Sequence, residues 1–310
     1  MSTLPAAEPP GHVPGSDTPA FIATNHRIAT NHSIGSGTIS GTQKGIQTMG
    51  VIAVCNQKGG VGKSTTVFHL ARAAVVAGQR VLVVDLDPQG NLTSVMTKDP
   101  LDDDDVSLAD ALSAQTQERL ADVLVPGVWP GVDVAPTVGT ALGLIRDELI
   151  KDGPGREYRL RESLAQVTRR YDLVLIDCPP ALDQLTINGL TAADGVLIVS
   201  QSKLWSTNGI AHLLATIDGV QRHFNETLGI LGVIINLHEA HTVGGRFWNE
   251  ELHIAGEQRG FRIFDPPIPK RAVIADSTEA SRGLDEWGGA DAAALATIYA
   301  HYLKELEGTP

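Results

Sequence analysis

The chain has 310 residues, 42% of them hydrophobic, enough for one large α/β domain or two small ones around a sizeable core. Its net charge of −12 argues against wholesale coating of nucleic acid, yet leaves room for a local basic patch, because charges act over only about 10 Å in salt. No stretch approaches the roughly 20 apolar residues of a membrane span and the N-terminus lacks the layout of a secretion signal, so the expected location is cytoplasmic.

Residues 1–48 are rich in Pro, Gly, Ser and Thr and lack hydrophobic periodicity, so they read as a disordered tail before one domain over 49–310. Ala-Thr-Asn-His occurs at 23 and again at 29, too few copies for a solenoid. Its histidines leave metal binding open beside a plain tail, and Met49 is an alternative start. The pattern then changes. "VIAVC" (51–55) is a short buried strand running into a glycine loop, and "TTVFHLARAAVVAG" has helical spacing that stops at Gly78. "RVLVVDLD" (80–87), "YDLVLIDCPP" (171–180), "GVLIVSQ" (195–201), "LGILGVIIN" (228–236) and the shorter "FRIFDPPIP" (261–269) are further strands. Helices are expected at about 138–150, 156–169, 206–224, 245–258 and 290–306. Continuous apolar strands alternating with helices predict a doubly wound, mostly parallel α/β sheet covered on both faces. Ligands of such sheets bind beyond the carboxyl ends of the strands, where Gly59–Thr66, Asp85, Asp87, Asp177 and Asn236 would converge.

"NQKGGVGKST" (56–65) follows the phosphate-loop pattern G-x-x-x-x-G-K-[ST], except that Gln57 fills the first glycine slot and Lys58 occupies a spacer. Gly59, Gly60, Val61 and Gly62 would turn backbone N–H groups inward, and the following helix would add a partial positive charge. Lys63 would reach the β- and γ-phosphates of ATP, Ser64 would ligate Mg²⁺, and Thr65 stands where the α-phosphate would lie. Asp177 suits a Mg²⁺-bound water, with a helix cap as the competing role. Asp87 in "DLDPQGN" is placed either to orient the attacking water or simply to make a turn.

These segments, with "LTINGLTAADGVLIVSQ", "GVIIN" and "IPKR…EAS", resemble the ParA/MinD family of deviant Walker ATPases over about 50–306, and the ParA (Soj-type) branch in particular. The resemblance implies a P-loop fold that dimerises face to face on ATP. It makes Lys58 the lysine that crosses to the partner subunit's phosphates and Asp87 the aspartate needed for hydrolysis. Asp177 becomes the Walker B carboxylate, and Asn236 and Pro267 fall in the region lining adenine. For Asn236 a strand-end turn is the alternative. The implied activity is ATP hydrolysis, weak alone and stimulated by a ParB-type centromere-binding partner and DNA. The dimer would bind double-stranded DNA nonspecifically on the nucleoid and segregate plasmid or chromosome.

Arg246, Arg262, Lys270 and Arg271 supply candidate phosphate contacts, against a solvated rim of ordinary ion pairs. The sequence departs from the family where "QSKLW" carries Lys203 in place of an acid, and where "LHEAHTVGGRFW" replaces a basic loop. A MinD-like membrane switch would need a basic amphipathic C-terminal helix. Here Leu295, Ile298, Tyr299, Tyr302 and Leu306 form a core-facing stripe instead. An iron–sulfur ATPase would need exposed cysteines, whereas Cys55 and Cys178 lie in apolar runs. A nonhydrolysing regulator stays open. "DDDD" (102–105) lacks the ligand alternation of a calcium loop, and "HEAH" (238–241) lacks zinc-protease spacing.

Overall fold

A computed structural model describes residues 50–201 and 209–308; the 1–48 tail and Lys203 lie outside the described residues. In chain order the elements are β1 (Val51–Cys55), α1 (Lys63–Val76), β2 (Val81–Asp85), α2 (Asn91–Met96), α3 (Leu108–Leu112), α4 (Leu120–Val123), β3 (Val125–Pro126), β4 (Val132–Ala135) and α5 (Ala141–Lys151). There follow α6 (Arg159–Ala165), β5 (Leu173–Asp177), α7 (Gln184–Ala192), β6 (Gly195–Gln201), α8 (Gly209–His223), β7 (Gly229–Asn236), α9 (Val243–Arg259), β8 (Ile263–Phe264), α10 (Ala272–Glu279), α11 (Leu284–Trp287) and α12 (Ala290–Glu307).

The strands form one sheet in the order β3-β4-β2-β5-β1-β6-β7-β8. Every pairing is parallel except β3 with β4 at the edge. Successive residues of a strand feed opposite faces. Val51, Ala53 and Cys55 of β1 join one core with residues of α5 to α8, while Ile52 and Val54 join a second core with α1 and α12. Covering both faces explains why the central strands read as unbroken apolar runs. α12 buries Leu295, Tyr299, Tyr302 and Leu306, with Ile298 half-buried, so the C-terminal helix is a packing element as its stripe predicts. No described helix is long and apolar enough to cross a membrane.

Both predicted strand ends of the "FRIFDPPIP" segment contract: β8 keeps only two residues. Its downstream part still tracks β7, because Ile268 N–H donates to Ile235 O and Lys270 N–H to His238 O. The sequence reading passed over α2, α3, α4, α7, α10 and α11, most of them single turns or pairs of turns. It also passed over the short strands β3, at the edge, and β4 beside it.

Candidate nucleotide site

β1 sits between β5 and β6, so the chain leaves it at the point where the connections change direction. The loop from Asn56 to Gly62 emerges there and enters α1. Gly60 and Gly62 take φ +72° and +91°, left-handed values that a side chain would strain. Gly62 is the N-cap of α1, and the first turn of that helix carries no acidic residue, so its positive end stays available to an anion. Lys63 is buried at the helix start, Ser64 and Thr65 are half-buried beside it, and Lys58, Gly59 and Gly60 are exposed. The Lys58 ammonium makes no ion pair with the described residues, while its backbone N–H donates to Asn56 Oδ1 at 2.9 Å.

Asp177 ends β5 and is fully buried. Its Oδ2 accepts the Ser64 hydroxyl at 2.5 Å, and its Oδ1 is buried with no hydrogen-bond partner. Asp85 ends β2 in register beside it. Burial pushes both carboxyls above the ordinary range, and the Asp85 charge raises Asp177 further, opposed by the Ser64 bond and the Lys63 ammonium. Two buried carboxylates, an orphaned oxygen and a serine hydroxyl are an oxygen donor set that suits Mg²⁺. The residues therefore fit the ion: Ser64 and Asp177 would hold it or its water, and it would neutralise phosphate charge there.

Asp85 also organises the loop that carries Asp87. Its Oδ1 accepts Asp87 N–H at 3.2 Å. Its Oδ2 accepts Thr93 N–H at 2.8 Å and the Thr93 hydroxyl at 2.7 Å. Thr137 closes the circuit, its N–H donating to Thr93 Oγ1 and its hydroxyl to Asp85 O. Asp87 itself is half-buried and accepts Gln89 N–H, an Asx-type turn. The turn role is thus real, and it leaves the Asp87 Oδ2 without a hydrogen bond among the described residues. Thr93 and Thr137 escaped the sequence reading; a hydroxyl one helical turn into the element after "DPQGN" was the available signal.

Asn236 lies beside the phosphate loop, and each end of its amide has a backbone partner. Nδ2 donates to Val61 O at 2.8 Å and Oδ1 accepts Leu237 N–H at 2.8 Å. Pro267, half-buried, lies in the strip running beside the end of β7. Cys55 and Cys178, remote in sequence, meet behind the loop: both are buried, free and hydrogen-bonded to each other, which together with burial pushes the Cys178 thiol up.

The basic residues are not one patch. Arg262 donates to Glu305 O, pairs with Glu305 Oε1 at 3.8 Å and stacks over Phe264. Arg271 pairs with Asp291 at 3.5 Å, at the opposite end of α12. Fourteen residues of helix separate those two acids, about 21 Å at 1.5 Å per residue. Lys270 meets Glu239 at 3.7 Å, and Arg246 donates to the neighbouring Ala240 O. The structure thus gathers Arg246, Lys270 and Arg271 near the carboxyl edge and separates Arg262 from them. It also supplies Glu239, Asp291 and Glu305, carboxylates that a short sequence window around 259–271 did not contain.

The chain matches the model of an AAA domain over residues 49–230. It is 34% identical to the sporulation initiation inhibitor protein Soj of Bacillus subtilis, covering 72% of this chain and 90% of Soj. It is 33% identical to the chromosome partitioning protein ParA of Caulobacter vibrioides, covering 73% of this chain and 83% of ParA. Among solved structures it is similar to cobyrinic acid a,c-diamide synthase from Mycobacterium smegmatis with bound ADP and magnesium. That match has TM-score 0.67 and 33% identity, over 82% of this chain and 92% of that one. The expected cofactors, ATP and Mg²⁺, agree with that structure and with the donor set around Asp177. A glycine loop opening α1, a buried strand-end carboxylate that accepts the Ser64 hydroxyl and these relatives lead to one conclusion: the chain belongs to the ParA/MinD-type P-loop ATPases.

Proposed function

We propose that the protein is an ATP-dependent dimeric switch that binds DNA nonspecifically and moves plasmid or chromosome DNA, with hydrolysis stimulated by a ParB-type partner. The observation that carries this reading is Lys58: an exposed ammonium beside the phosphate loop, with no ion pair among the described residues. Lys63 already serves its own subunit's cradle, so Lys58 is left for the phosphates of a second copy. At about 4 Å and an effective dielectric of 20 such a contact gains about 4 kcal/mol before desolvation is subtracted, enough to tie dimerisation to ATP.

In the mechanism, Lys63 and the α1 N-terminus hold the phosphates, and Ser64 with Asp177 would hold Mg²⁺, which would supply charge to offset the phosphates. Asp87, steadied by Asp85 and Thr93, orients the attacking water or takes its proton. Lys58 from the partner offsets charge that grows as the γ-phosphoryl group leaves. Arg246, Lys270 and Arg271 form the DNA face, a backbone contact that reads no bases. Nucleoid association while ATP is bound follows from that face, and the domain proper is proposed to span 49–310.

DNA co-sedimentation with ADP, ATP and a slowly hydrolysed analogue tests the reading. ATP-dependent pelleting, reversed on hydrolysis, is the expected result. ATP turnover with no DNA binding in any nucleotide state would overturn it and favour an ATP-using synthase like the Mycobacterium smegmatis relative.

A further inference from the structure

A phosphate cradle works only if its N–H groups aim inward. A peptide unit is planar and trans, so its N–H and C=O point in opposite directions. Fixing a loop carbonyl outward therefore aims the N–H of the same unit inward, and the carbonyl needs a donor of its own to stay there. Two side-chain amides from the neighbouring strands provide such donors. Asn236, at the end of β7, donates from Nδ2 to Val61 O at 2.8 Å, on the Val61–Gly62 peptide. Gln201, at the end of β6, donates from Nε2 to Gly60 O at 3.1 Å, on the Gly60–Val61 peptide.

The Asn236 contact is buried and closely fitted. The residue is 2% exposed, and its Oδ1 is held by the N–H of Leu237, itself at φ +52°. A Cβ added at Gly62 would lie 2.1 Å from Nδ2, so Gly62 is required by this approach as well as by its own φ. Each end of the amide thus has a backbone partner, which fixes its orientation against the loop.

We infer that Asn236 and Gln201 are positioning residues for the phosphate loop, setting the direction of its peptide planes from the outside, rather than readers of adenine. The inference rests on Gly59–Lys63 being the phosphate site. It extends beyond the family resemblance, which places Asn236 at the base. The two roles separate on a ligand that has phosphates and no base. A brace affects ATP, GTP and inorganic tripolyphosphate alike, whereas a base contact affects ATP and leaves tripolyphosphate untouched.

The test is titration of the full chain with ATP, GTP and tripolyphosphate, each with Mg²⁺, for the unmodified protein, Asn236→Ala and Gln201→Ala. Thermal unfolding of each variant checks that it is folded. Asn236→Ala leaves a buried carbonyl without its donor, so about a tenfold loss is expected for all three ligands, with an unchanged ATP-to-GTP ratio. Gln201 is half-buried, so about a threefold loss is expected, again equal across ligands. Weakened ATP with unchanged tripolyphosphate would overturn the brace and return Asn236 to the base. Unchanged affinity for all ligands in both variants would overturn it as well. Should Asn236→Ala fail to fold, Gln201→Ala decides the matter by the same criteria. Failure of the unmodified chain to bind any of the three would strike at the nucleotide site itself rather than at the brace.

Discussion

The phosphate edge and the basic rim use the same kinds of side chain to opposite effect. At the edge, Lys63, Asp85 and Asp177 are buried, and the two carboxylates are held by hydrogen bonds from the Ser64 and Thr93 hydroxyls and from backbone N–H groups. On the rim, Lys270 and Arg271 keep more than half of their side-chain surface exposed, and each already faces a carboxylate at 3.5–3.7 Å. A charge out of water acts strongly on whatever is beside it, while an exposed pair is screened and worth about 0–1 kcal/mol. The contrast teaches that a functional role can be read with most force where burial leaves a charged group few alternatives.

The largest expected effect tests the edge through its loop. Asp87→Ala should still bind ATP yet hydrolyse it about 10²–10⁴ times more slowly under stimulation. Normal stimulated turnover would reduce Asp87 to the turn residue its bond to Gln89 N–H already makes it.

Next come the two lysines, which differ in burial and should differ in failure. Lys63→Ala should lose roughly a hundredfold in nucleotide affinity, the scale of a charge-assisted hydrogen bond in a buried site. Lys58→Ala should keep ATP affinity within a few-fold and remain a monomer with ATP in analytical ultracentrifugation. ATP-driven dimers of Lys58→Ala would remove the role across the interface.

His69 extends the comparison to the packed side of α1. It is 2% exposed, bonded to Thr278 Oγ1 at 3.1 Å, and burial holds its pKa down at about 4 against an ordinary 6.5. A base whose folded pKa is depressed leaves the unfolded chain binding more protons between those values. Stability is therefore present above about pH 6.5 and is lost as pH falls towards 4, by about 2 kcal/mol at pH 5. His69→Gln should flatten that slope in denaturant unfolding at pH 7 and pH 5. Equal slopes in the two proteins would show that burial at this site does not govern its titration.

The smallest effects belong to the rim. Replacing Arg246, Lys270 and Arg271 with alanine should lower the salt slope of DNA binding by at most about three, one for each phosphate contact. Arg262→Ala should change it little, because Arg262 is held by Glu305 and Phe264 at the far end of α12. A larger effect from Arg262 than from the other three would reverse the assignment.

The sequence by itself determined the doubly wound sheet and the phosphate edge. Strands buried on both faces must be apolar throughout, and "GGVGKST", "VVDLD" and "LVLID" place their chemistry within a few residues of a strand end. Such local, backbone-directed signals survive in a linear reading. Short elements such as β3, β4 and α11 did not, because two to four residues carry no period and exist by packing. Only the tertiary structure brought Thr137 to Asp85 across 52 positions, Asn236 to Val61 across 175, and Glu305 to Arg262 across 43. Each of these contacts joins groups that strand order and helix packing make neighbours, and hydrogen bonding depends on that distance in space, which separation along the chain does not encode.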